Sequence, residues 1–226
     1  MNVAGRYTAL RAEIDDELRA CGRDPGSVTL VGIAKGQPVE AVREALDAGL
    51  EDVGENYLQE AQRAFAALPP VRRHFVGHVQ TNKAKPIVEQ FDVVQSVDRL
   101  DAGLALARAA ATLGRTVPVL IQVNISPTER FGCPPEEAPR LADRLRAEAS
   151  LRVDGVMAIG PMNAGSAAIA AAFETAAKTF ARVGGSTLSI GMSGDWREAV
   201  RAGSTMVRIG TALFGERGRT REGGRA

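Results

Sequence analysis

The sequence predicts an α/β fold, a single-domain (β/α)8 barrel, on three observations. Eight short β-branched, apolar runs stand between Val28 and Ile209. A helical pattern follows almost every run, and such alternation demands right-handed crossovers and a mostly parallel sheet. Eight units in about 200 residues is the size of a closed barrel. An open doubly wound sheet shows the same alternation and stands as the alternative, because strand count alone does not decide closure.

The elements follow in order. Residues 3–21 carry Leu10, Ile14 and Leu18 at i, i+4 and i+8, an amphipathic helix stopped by Gly22 and Pro25. Residues 28–34 form the first strand, which ends in Lys35 and Gly36. A helix is expected over 39–47, a very short strand over 52–54, and a helix over 55–67 closed by Pro69 and Pro70. Strand 73–76 precedes helix 81–90, and strand 91–95 precedes the alanine-rich helix 98–113. Strand 118–125 has strong β-propensity, and helix 135–148 has proline in its first turn. Strand 151–159, helix 166–183, strand 187–190, short helix 196–202 and strand 205–209 complete the pattern.

The chain has 226 residues, 45% of them hydrophobic, enough for a sizeable core. A net charge of +1 points to neither bulk nucleic-acid nor membrane electrostatics. Cys21 and Cys133 are far apart, without metal spacing or a disulfide framework, which fits a reducing cytoplasm. Residues 1–20 are charged and lack the apolar centre of a signal peptide, and no stretch approaches a membrane span. No composition shift divides the chain, so residues 1–217 read as one barrel domain. Residues 218–226 mix glycine with repeated arginine and read as a disordered basic tail.

A barrel builds its site at the C-terminal ends of its strands. Those ends carry Lys35, then Glu55 and Asn56, Gly77 and His78, Ser96, and Asn124. Met157 and Ala158 follow, then Gly191 to Gly194, and finally Arg208 to Thr211. Desolvation at a strand end favours a neutral amine, which can attack a carbonyl. The plain alternative for Lys35 is a strand cap with its head in water. The loops after strands seven and eight are the common phosphate site of such barrels. Gly194 with Ser193, and Gly210 with Thr211, pair glycine with a hydroxyl there; otherwise these glycines only make tight turns. Glu55 is the only carboxylate at these ends, so no acid pair suits hydrolysis, and no metal cluster is present. His74 reads as a packing or surface residue, and His78 can face the site. Trp196 and Tyr57 read as helix packing residues, and Glu89, Glu136 and Glu137 as solvated faces.

Longer stretches carry a resemblance. They are Val31 to Lys35 with Pro38-Val39-Glu40; Gly54-Glu55-Asn56-Tyr57; His74 to Gln80 with Asn82-Lys83; and Ser96-Val97-Asp98. Leu188 to Asp195, Gly203-Ser204-Thr205, Val207 to Thr211 and Phe214 to Arg217 complete them, in order over nearly the whole chain. The chain resembles the pyridoxal phosphate homeostasis protein family, related to the N-terminal barrel of alanine racemase. The resemblance implies that Lys35 carries pyridoxal 5′-phosphate as a Schiff base, an internal aldimine. It implies that Ser193, Gly194, Gly210 and Thr211 hold the phosphate, that Arg208 faces the pyridine nitrogen, and that Asn56 lies beside the cofactor. It further implies a monomeric cytoplasmic carrier in vitamin B6 homeostasis, without established turnover, whose partners include dependent client enzymes. Two positions depart from the family pattern. Gly36 replaces a small hydroxyl residue after the lysine. Arg130 replaces a lysine in a segment about one residue shorter than usual; where that lysine would pass cofactor between sites, an arginine cannot form a Schiff base.

The competing reading is an amino-acid racemase, which needs an acid/base on each face of the substrate α-carbon. Lys35 supplies one. The only tyrosines, Tyr7 and Tyr57, are expected away from the strand ends, and no second β-domain follows strand eight. A third reading, an aldolase-type barrel acting on phosphosugars, lacks the expected acidic partners.

Overall fold

The computed structural model describes residues 1–128 and 130–215. Its eight parallel strands close in sequential order, β1 to β8, into a barrel. β1 (Thr29–Ile33) settles the choice between barrel and open sheet, because it pairs both with β2 (Asp52–Glu55) and with β8 (Met206–Ile209). Between them run β3 (Arg72–Phe75), β4 (Val93–Val97), β5 (Val117–Val123), β6 (Leu151–Ala158) and β7 (Thr187–Ser189). The proposed tail, with Glu216 and Arg217, lies outside the described residues.

Register sorts the side chains. A Cβ on Gly32 would meet Leu50, Leu213 and Phe214 of the surrounding layer, so Leu30, Gly32 and Ala34 face outward. Val31 and Ile33 therefore face the lumen, and through the pairings Val31↔Asp52 and Val31↔Arg208 so do Asp52 and Arg208. Gly54 faces the lumen because a Cβ there would stand 2.6 Å from Ile33.

The outer layer is α1 (Val3–Ala20), α2 (Val39–Asp47), α3 (Leu58–Ala66), α4 (Ala84–Gln90), α5 (Leu100–Thr112), α6 (Ala138–Arg146), α7 (Ser166–Val183) and α8 (Trp196–Arg201). Asn2 caps α1 by accepting from Gly5 N at 3.0 Å, and Leu10, Ile14 and Leu18 bury its apolar stripe. A further turn, α9 (Thr211–Phe214), follows β8 and was not legible in the pattern. Arg6 fastens α1 to it, donating to the carbonyls of Leu213 at 2.8 Å and Phe214 at 3.0 Å.

Helix 135–148 contracts to α6, with Pro139 in place of Pro135 in its first turn, and three further expectations shift. β4 begins at Val93, because Phe91 closes α4 and fills a ring cluster with Phe65 and Phe75 at 5.5 and 5.1 Å. Helix 81–90 opens as a 3-10 turn, Thr81–Lys83, before α4. α3 begins at Leu58, not at residue 55, because Glu55 still belongs to β2 and Tyr57 is extended (φ −126°, ψ 125°). Tyr57 is thus no helix packing residue: it is 60% exposed at a strand end. Trp196 is buried as expected, and Glu89, Glu136 and Glu137 are exposed.

Candidate functional site

The barrel mouth has two halves. The first joins the ends of β1, β7 and β8. Lys35 is half-buried in the turn just beyond β1, near enough to Glu55 for its charge to act on that carboxyl. Gly36 follows at φ +66°, a left-handed conformation that glycine adopts without cost and a β-branched hydroxyl residue resists. Gly210 lies beside this turn: its Cβ position is 3.8 Å from both Cβ and the carbonyl oxygen of Ile33.

The loop after β7 packs against the same corner. Gly191 (φ +98°) must be glycine, since a Cβ would stand 2.6 Å from Ala199. Asp195 closes the loop by accepting from Met192 N at 2.6 Å; burial pushes its carboxyl up. Ser193 Oγ accepts from Ala212 N at 3.2 Å. Leu213 N and Phe214 N donate to the Gly210 carbonyl, which leaves the N–H groups of Gly210 and Thr211 without an acceptor among the described residues. Gly194 and Thr211 are exposed, and a Cβ on Gly194 would meet open space.

Arg208 underlies this corner at 4% exposure. It donates to the Ser189 carbonyl (2.7 Å), Ser189 Oγ (2.6 Å) and the Ala158 carbonyl (2.8 Å). Burial pulls its guanidinium down to about 10, with Asp195 acting in the opposite sense, so it stays cationic at neutral pH.

The second half is a cavity of about 720 Å³ over the ends of β2, β3, β5 and β6. Asn56, Tyr57, His78, Gln122, Asn124, Arg130, Phe131 and Ile159 line it. Asn56 Oδ1 is buried there without a partner, and a Cβ on Gly77 would collide with the Asn56 carbonyl at 2.0 Å, so that glycine lets the β2 and β3 ends meet. His78 faces the site, as allowed from sequence: it stacks on Phe131 at 4.1 Å and accepts from Arg99 through Nε2 at 3.1 Å. Glu55 is 1% exposed, and its Oε2 has no partner. Burial and Glu60 push its carboxyl up to about 7, against the Asn56 N–H and Lys35.

Sequence reading missed two things. Phe131 and Ile159 give no polar signal. His74, read as packing or surface, is fully buried in a polar chain with Asp52 and Gln95; alternation on the lumen face was the available clue. No group of three or more His, Cys, Asp or Glu among the described residues could hold a metal, and no described helix is long and apolar enough to cross a membrane.

The alanine racemase N-terminal domain family matches residues 18–218. The pyridoxal phosphate homeostasis protein of Pseudomonas aeruginosa is 43% identical over 220 residues, 95% of this chain and 96% of that protein. The protein of the same name from Escherichia coli is 36% identical over 230 residues, covering 96% and 97%. PipY of Synechococcus elongatus, solved with PLP bound, superposes with a TM-score of 0.83 at 33% identity, covering 95% of this chain and all of that one. An alanine racemase of Clostridium difficile shares the fold at 13% identity (TM-score 0.70), but this chain spans 56% of its length. The fold and the strand-end residues define an alanine racemase N-terminal-type barrel. The chain belongs to the pyridoxal phosphate homeostasis protein family.

Proposed function

We propose that this protein binds pyridoxal 5′-phosphate and holds it in the cytoplasm, as a carrier in vitamin B6 homeostasis rather than an enzyme. The observation that carries this reading is the meeting of β1 and β8, which sets the Lys35 turn beside the Gly210–Thr211 turn. An amine on that turn would share the corner with two unclaimed N–H groups, the Ser193 hydroxyl and a buried guanidinium. That donor set fits a phosphorylated aldehyde: an amine for the carbonyl carbon, and N–H and hydroxyl donors for the phosphate.

The chain's own groups have distinct tasks. Lys35 Nζ would hold the aldehyde carbon covalently, the carbonyl oxygen leaving as water. Ser193, Gly194, Gly210 and Thr211 hold the phosphate, and Asn56 borders the ring. Arg208 would place a positive charge at the ring nitrogen and disfavour its protonation. When bound, the cofactor supplies an electrophilic carbon, and as an electron sink it is weak while its ring nitrogen is unprotonated. Arg208 thereby favours holding over turnover. We take such a carrier to act as a monomer, with client enzymes that accept the cofactor as its natural partners.

The test is intact mass of the purified protein before and after borohydride reduction. A mass gain fixed by reduction supports the reading. A protein saturated with pyridoxal phosphate that gains none lacks the covalent link.

A further inference from the structure

Five polar side chains cross the barrel lumen in one unbroken chain. Arg208 NH1 lies 2.6 Å from Ser189 Oγ, and Ser189 Oγ lies 2.7 Å from Gln95 Oε1. Gln95 Nε2 lies 2.9 Å from His74 Nδ1, and His74 Nε2 lies 2.7 Å from Asp52 Oδ1. Ser189, Gln95 and His74 are 0% exposed, Arg208 4% and Asp52 6%. The chain leaves β8 and β7, crosses to β4, and returns through β3 to β2, two strands from where it began.

Donor and acceptor chemistry fixes every direction. A guanidinium only donates, so Ser189 Oγ accepts from Arg208 and sends its own hydrogen to Gln95 Oε1. The amide is thereby oriented: Nε2 faces His74 and donates to Nδ1. A ring nitrogen that accepts carries no proton, so His74 is the neutral Nε2–H tautomer and donates to Asp52. The second Gln95 N–H reaches Met206 Sδ at 3.2 Å. Reversing any one link strands a hydroxyl or an amide where no water reaches. Barrel interiors are commonly filled by branched apolar side chains, so packing alone does not call for this chain.

We infer that Gln95 and Ser189, backed by His74 and Asp52, are positioning residues for Arg208: they hold its guanidinium in one orientation and link it, by four aligned hydrogen bonds, to the Asp52 carboxylate on β2. This rests on the reading that Arg208 faces the ring nitrogen. With NH1 and NH2 tied to Ser189 and Ala158, three of the five N–H groups are committed. The ring nitrogen then meets a fixed cation, not a mobile one. The relay holds protons in place and transfers none.

The test begins on protein without cofactor, by 15N NMR at neutral pH. His74 is expected with Nε2 protonated and Nδ1 bare, and Arg208 with resolved, slowly exchanging guanidinium signals. Gln95→Met, close in volume, and Ser189→Ala each cut the chain once; both should merge and broaden the Arg208 signals in folded protein. Ser189→Thr restores the hydroxyl and should restore the signals. Gln95→Glu should move the His74 proton to Nδ1, because a carboxylate there accepts. With pyridoxal phosphate added, Gln95→Met should raise Kd about tenfold and shift the absorption maximum, with the Lys35 adduct still formed. A wild-type His74 protonated on Nδ1, or unchanged Arg208 signals in folded Gln95→Met, overturns the inference. A wild-type protein that binds no cofactor sinks the carrier function instead, and the cofactor-free spectra still decide the relay.

Discussion

The hydroxyl of Ser193 and the backbone of Ala212 meet at 3.2 Å, which ties the loop after β7 to the first turn after β8. Two loops distant in sequence thus present hydroxyls and N–H groups to one small volume. Ser193→Ala and Thr211→Val are each expected to weaken retention of pyridoxal phosphate by about 1–3 kcal/mol, the range for hydrogen bonds to a charged group. Pyridoxal without its phosphate should bind far more weakly. Equal affinities for the two, measured by absorbance titration, would refute a phosphate cradle here.

Lys35 is the single lysine at the end of a strand. Lys83 and Lys85 lie on the 3-10 turn and α4, and Lys178 on α7. Borohydride reduction followed by peptide mapping should place the cofactor's mass on the Lys35 peptide. Lys35→Ala should lose the long-wavelength absorbance of loaded protein while its circular dichroism stays unchanged. An adduct on Lys83, Lys85 or Lys178 defeats the assignment.

Much of this was legible in the chain, because each strand carries its own apolar run and ends in glycine or a polar residue. That pattern placed Lys35, Ser193 and Arg208 at strand ends, where the structure has them. Closure could not, since it depends on β1 meeting β8 across the whole chain. Phe91 was read into a strand because one apolar residue looks like another; only the contacts with Phe65 and Phe75 assign it to the helix end. Tyr57 was read into a helix because its neighbours continue the helical period. The close approach of Gly77 to the Asn56 backbone holds that stretch extended. The polar chain from Asp52 to Arg208 draws on five strands, and no local pattern reports such a meeting.

Glu55 gives a pH prediction. Its folded carboxyl is raised from 4.5 to about 7, so the fold binds more protons than the unfolded chain in that window. The stability from the protonated carboxyl is therefore fully present below about 4.5 and lost as pH climbs through about 7. The full swing is on the order of 3 kcal/mol. Glu55→Gln should raise the melting temperature at pH 8 more than at pH 5, flattening the profile. Parallel profiles for the two proteins would show that the carboxyl titrates near its ordinary value.

The last prediction concerns turnover, and the position of Tyr57 sharpens it. Sequence reading set racemase chemistry aside partly because no tyrosine was expected at a strand end. Tyr57 lies at one, in the wall of the cavity, so the absence of a second acid/base no longer follows from position. The remaining argument is electrostatic. In the proposed arrangement Arg208, buried and cationic, would withhold a proton from the ring nitrogen, and negative charge developing at an α-carbon would then find little stabilisation. Tyr57, 60% exposed, also stands in water, where a proton held for transfer is readily exchanged. Protein saturated with pyridoxal phosphate is therefore expected to exchange the α-proton of L-alanine in deuterated water no faster than the Lys35→Ala control. Tyr57→Phe should leave that background unchanged. Exchange at about 1 per second or more, lost in both Lys35→Ala and Tyr57→Phe, would make these two residues an acid/base pair and replace the carrier reading with an enzymatic one.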